Sequence, residues 1–339
     1  MLFRRRHAVS ESPTWMRSAG LASVLCFSGA LHAQPSTDQI LAEMGFSALE
    51  KRRVLEGEFV TAQIGAVSER DLSFSVAFLV KISPQALSEQ VLAGAHVADD
   101  AQVRAYGLLS GTGSVTDFSE LRLAEDEARA LSNAQPGDAT NYSAGELASL
   151  KVLRGHPTQA VEAQLRRTLL ERYQSYRASG LAGIAPYARR GGAANNLASD
   201  MTKAVQSMVA LKEHMPELYA VLLDYPRTTS PAIRQSFRWV KSIIRGRPTY
   251  ALAHVLAASD GEARAVVRRE FYVSAGYNGQ QVVAGFLPVA GGTVVLYMSH
   301  AFTDQVAGAG GSVKRNIGSR VMADQLKKIF ENSRKRIER

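Results

Sequence analysis

The chain has 339 residues, 46% of them hydrophobic and 21% charged, with 27 Gly and 11 Pro; this excludes collagen-like, low-complexity and intrinsically disordered classes and leaves enough apolar residues for a sizeable core. Its single cysteine, Cys26, excludes an intrachain disulfide, a Cys-ligated zinc site and a CxxC redox motif. The formal charge is +9, but where that charge sits is more informative than its total.

Residues 1–33 read as a secretory signal. Met1 to Arg17 carries Arg4, Arg5, Arg6 and Arg17 against Glu11, an apolar run follows over 19–31, and the stretch ends in Ala30-Leu-His-Ala33. A basic start, a short apolar run and small closing residues are the marks of an export signal, and the run is too short to span a bilayer. Cleavage after Ala33 puts Leu31 at the −3 position, whereas cleavage after Ala30 puts Ser28 there, so both sites stay open. The expected location is periplasmic or secreted. Without this segment the charge is +6, and residues 313–339, with nine basic and three acidic side chains, account for all of it. Residues 34–312 are therefore neutral overall, which argues against a nucleic-acid-binding surface.

Along the rest of the chain, Ser73 to Lys81 is rich in β-branched and aromatic residues and predicts a strand, and Ser83-Pro84 then starts a helix. Val103 to Leu109 predicts a second strand. From about Glu146 to Tyr225 apolar residues recur at spacings of three and four, a helical block. Within it lies a Gly- and Pro-punctuated connection, 180–196, that reads as a lid or a plain surface loop. Five strand-like runs follow, Phe237 to Ile244, Thr249 to Ala258, Ala265 to Ser274, Gln281 to Val289 and Thr293 to His300. Asn278-Gly279 predicts a type I′ turn between the third and fourth. The last helix is expected from about Val313, with Ile317, Val321, Met322, Leu326, Ile329 and Phe330 on one face.

This layout, and in particular Val76 to Leu87 and Thr293 to Phe330, resembles the START-like helix-grip fold. The resemblance implies an α+β fold in which an antiparallel sheet wraps a long C-terminal helix and leaves an apolar cavity between them. On that reading, 1–33 is the signal peptide, 34–145 and 231–339 are the two parts of the START-like domain, and 146–230 is a helical insertion or subdomain. The function implied is binding or carrying a lipid or other apolar small molecule. Ile317, Val321 and Phe330 would face the cavity from the helix and Leu296 from the sheet, with His254 or His300 among its few polar groups.

Chemical motifs are few. His96, His156, His214, His254 and His300 form no HxxxH or HExxH pair, so no metal site is indicated. There is no GxSxG elbow, and Gly308 to Lys314 meets neither nucleotide-binding pattern, so no cofactor is implied. The glycines there, with Lys314 and Arg315, suit an anion at a helix start; capping by Ser312 explains the same residues. The basic last helix reads as a solvated face or as a contact for an anionic membrane surface. Two alternatives stand beside the carrier: an enzyme on the same scaffold using His254, His300 or Asp304, and an interaction module that docks a partner through the helical block.

Overall fold

The computed structural model describes residues 36–94, 100–137 and 140–338. The expected signal segment and Cys26 lie outside the described residues. Helices α1 (Thr37–Glu43) and α2 (Ala48–Leu55) lead into strands β1 (Val60–Ala62) and β2 (Asp71–Val80), followed by α3 (Pro84–Ala93) and β3 (Val103–Leu109). Helices α4 (Glu125–Ser132), α5 (Ala144–Lys151) and α6 (Thr158–Ser179) come next. A small hairpin, β4 (Tyr187–Ala188) with β5 (Ala194–Asn195), separates α6 from α7 (Leu197–Gln206), α8 (Val209–His214) and α9 (Pro216–Asp224). Strands β6 (Arg234–Ile244), β7 (Arg247–Asp260), β8 (Ala263–Val273), β9 (Gly279–Val289) and β10 (Gly292–Phe302) then run as a meander into α10 (Gly311–Ile337).

Eight strands form one antiparallel sheet in the order β1-β2-β10-β9-β8-β7-β6-β3. With α10 packed against β2, this is an α+β architecture consistent with the helix-grip layout. The local rules are visible in α3. Ser83 accepts from the Ala86 N–H, Pro84 occupies the first turn where its missing N–H costs nothing, and Gly94 ends the helix at φ 83°.

Side chains alternate between two covered faces of the sheet. On the front, Phe74, Phe78, Val295 and Phe286 pack with Leu87 of α3 and with Met322, Ala323, Leu326 and Phe330 of α10. On the back, Trp239, Tyr250, Leu252 and Phe271 meet Leu165, Leu169 and Tyr176 of α6, while Leu256, Val267 and Val283 meet Val205, Leu218 and Val221. The helices of the 144–224 stretch thus share their cores with the back of the sheet.

Two expectations of detail fail. The tight turn falls at Arg245-Gly246, with φ 51° and 74°, between paired Ile244 and Arg247; Asn278-Gly279 does not adopt it, and residues 274–278 form a longer loop. Asn278 is held instead by its side-chain bond to Asp304, and Gly279 is needed for closeness: an added Cβ would lie 2.6 Å from Leu197 and 2.9 Å from the Glu270 carbonyl. Second, α10 is rotated from its expected phase. Ile317 and Val321 are 59% and 49% exposed, and the residues facing the sheet are Gly318, Met322, Ala323, Leu326 and Phe330. A Cβ at Gly318 would come within 2.8 Å of Leu72, so the small residues fix which side of the helix approaches the sheet.

Candidate functional site

His254, Leu296 and His300 all point to the back of the sheet, away from α10. Leu296 packs under α1 and α2 with Leu41, Phe46 and Val54. The residues expected to line one sheet-helix cavity are therefore separated: three lie behind the sheet and two, Ile317 and Val321, lie on the outer side of α10. Lys314 is exposed, and Arg315 donates to the Glu69 carbonyl at 3.1 Å. Helix α10 begins two residues earlier than a Ser312 cap requires, with Gly310 at the cap position and no side-chain bond.

The two histidines lie in a buried polar row that the sequence does not announce. His254 pairs with Arg269, Arg269 with Gln281, Gln281 with His300, and His300 with Ser73, one residue on each of five adjacent strands. Arg269 donates through Nε to Gln281 at 2.8 Å, through Nη1 to the Tyr176 hydroxyl and through Nη2 to the Leu222 carbonyl. The Tyr176 hydroxyl in turn meets His254 Nδ1, and His254 Nε2 meets Gln235 Oε1 at 3.0 Å. Burial, with help from the cations Arg269 and Arg177, holds the His254 pKa well below its usual value. A neutral ring with both nitrogens bonded has no free position for proton transfer. His300 Nδ1 lies 2.8 Å from Asp71 Oδ2, an orienting pair, and both side chains are buried; among the described residues its Nε2 has no partner and no nucleophile is bonded to the pair.

Asp304 belongs to a different network, at the ends of the strands, and does not converge with His254. It accepts from Arg189 Nε at 2.9 Å and Nη2 at 2.7 Å, from Asn195 at 2.7 Å and from Asn278 at 3.2 Å. Arg189 also donates to Asn141 Oδ1 and to the Thr140 carbonyl. The flanking Tyr187 donates to the Asn278 carbonyl at 2.9 Å.

This network anchors the 180–196 connection. The segment leaves α6 at Gly180, where φ is 58° and an added Cβ would sit 1.8 Å from the Tyr225 carbonyl. It forms the β4–β5 hairpin, closed by a bond from the Arg189 N–H to the Ala193 carbonyl, with Gly191 and Gly192 at φ 70° and 80° in the turn. Beside the hairpin lies a pocket of about 580 Å³, within the usual range for small-molecule sites of about 300 to 1,000 Å³. Its walls are largely apolar, with Pro136, Ala144, Pro186, Ala188 and Ala193, and Arg189 and Arg190 supply the charge. The two arginines have different roles. Arg189 is buried and saturated by Asp304 and its neighbours, whereas Arg190 is exposed and makes no ion pair among the described residues. The hairpin therefore offers an available cation on a rigid base, beside an apolar wall.

The Gly- and Pro-rich character of 180–196 was the only sequence signal for this site. Arg189, Asn141 and Asn278 are far apart in the chain and carry no spacing that would join them. Among the described residues, Glu43, Glu213 and His214 are the one group close enough to share a metal ion, and there His214 Nε2 is already paired with Glu43 at 2.6 Å on the surface. No described helix is long and apolar enough to cross a membrane. Comparison with protein-family models, curated proteins and solved structures finds no match to the chain.

Proposed function

We propose that the protein is an exported, START-like small-molecule binder, and that its ligand is an anionic molecule with a compact apolar body, seated in the pocket beside the β4–β5 hairpin. The observation that carries this reading is the meeting of about 580 Å³ of largely apolar space with a cation, Arg190, that makes no ion pair among the described residues. An apolar wall favours burial of hydrocarbon, and a guanidinium favours a carboxylate or phosphate through charge-assisted hydrogen bonds. The export reading rests on the basic and apolar character of residues 1–33. Binding is favoured over catalysis because His254 is neutral and doubly bonded, and because Asp304 is engaged by Arg189, Arg70 and two asparagines.

Native mass spectrometry of protein recovered from the periplasm of a bacterial host tests both parts. The expected result is a chain beginning at Gln34 or Leu31 that carries a dissociable small anion. A chain that retains Met1 contradicts export. A cleaved chain without bound mass, and without uptake of added long-chain carboxylates, contradicts the ligand.

A further inference from the structure

The rotation of α10 leaves an unexpected surface. Val313, Ile317, Val321 and Ile329 are 49% to 61% exposed, and they make up four of the eleven large apolar side chains exposed among the described residues. Val313, Ile317 and Val321, four residues apart, lie along one side of the helix, because residues four apart on a helix are neighbours, while Ile329 lies at the edge of that side, turned toward Met322. The opposite side is fixed to the sheet by Met322, Ala323, Leu326 and Phe330. An apolar stripe this concentrated is uncommon on a surface with no partner.

The charges beside the stripe indicate what covers it. Lys314, Arg320 and Lys328 are exposed on α10, with Asp324 the acidic group among them. The segment 313–339 carries nine basic and three acidic residues, the whole cationic excess of the chain beyond residue 33. A surface that offers hydrocarbon a few ångströms beneath a layer of negative charge matches both features at once, which is how basic amphipathic helices lie in a membrane interface. We infer that the outer face of α10 docks on an anionic lipid bilayer, with Val313, Ile317 and Val321 dipping below the headgroups and Lys314, Arg320 and Lys328 among the phosphates. This goes beyond the ligand reading and does not depend on it.

The test is co-flotation of the full chain with vesicles of phosphatidylcholine alone or mixed with phosphatidylglycerol. The parent chain should float with the anionic vesicles and much less with the neutral ones, and 1 M salt should weaken the attachment by screening. The double variant Ile317→Ser/Val321→Ser and the double variant Lys314→Gln/Lys328→Gln should each bind at least about tenfold more weakly. All four positions are exposed, so both variants should keep the parent's circular dichroism and melting temperature. Both variants floating like the parent would overturn the inference, because attachment would then reside elsewhere, residues 1–33 included. No attachment to either vesicle would overturn it as well, and so would a parent dimer that the apolar variant converts to monomer, since the stripe would then be covered by a second copy.

Discussion

His254 and Arg269 face each other on neighbouring strands, both buried, and reach the same phenol: the Tyr176 hydroxyl lies 3.1 Å from His254 Nδ1 and 3.3 Å from Arg269 Nη1. The guanidinium can only donate, so the phenol oxygen accepts from Arg269 and its own proton goes to His254 Nδ1. The imidazole proton is then on Nε2, directed at Gln235. One chain of donors thus ties helix α6 to strands β6, β7 and β8.

Removing that shared hydroxyl should be costly. Tyr176→Phe keeps the ring stacked on Phe271, whose centroid is 3.9 Å away, but leaves His254 Nδ1 without a donor in a site closed to water. A loss of about 1 to 3 kcal/mol is expected, read as a lower urea midpoint with an unchanged slope.

The same row sets an acid limit on stability. The folded-state pKa of His254 lies below its unfolded value, about 6.5, so the unfolded chain binds a proton that the folded chain refuses. The contribution is complete above about pH 6.5 and is lost as pH falls below it, by about 1.4 kcal/mol per pH unit. Urea titrations between pH 7 and pH 5 should show this slope in the parent and a shallower one in His254→Gln. Carboxylates with lowered pKa, such as Glu43, respond only below their usual value of 4.5, outside that window.

Asp304 should matter for shape more than for chemistry. Asp304→Asn preserves size but removes the negative charge that faces Arg189 at 2.7 Å and Arg70 at 3.7 Å. A cost of about 3 kcal/mol is expected. Hydrogen exchange should show faster opening of the β4–β5 hairpin amides, the Arg189 N–H among them, while the β8–β9 ladder stays protected.

The strands β2, β3 and β6 to β10 and the start of α3 are legible in the sequence because β-branched runs, turn residues and a Ser-Pro pair report directly on local backbone preference. Helices α1, α2 and α4 are not: they are short and rich in charge, and their positions follow from the cores they cap. The phase of α10 is hidden because the closest approach is made by Gly318 and Ala323, which a search for large apolar residues passes over, while Ile317 and Val321 point outward. The polar row is hidden for the opposite reason. Arg269 and Gln281 have the composition of a solvent-facing strand side, and only the pairing of five strands reveals that they form one continuous buried line. The pocket was half visible: its glycines and prolines mark the loop, but the Asn141, Asn278 and Asp304 side chains that make it rigid come from three separate regions of the chain.

The most direct test of the ligand reading is a fluorescence titration of the chain with a dansyl-labelled long-chain carboxylate and with the matching alcohol, in the parent, Arg190→Gln and Ala193→Trp. If the hairpin pocket is the binding site, the parent should bind the carboxylate more tightly than the alcohol. Arg190→Gln should weaken carboxylate binding about tenfold while leaving the alcohol unchanged, and Ala193→Trp, which fills the pocket from its exposed rim, should abolish both. Equal binding of the carboxylate by all three proteins, or no binding by the parent, would contradict the account.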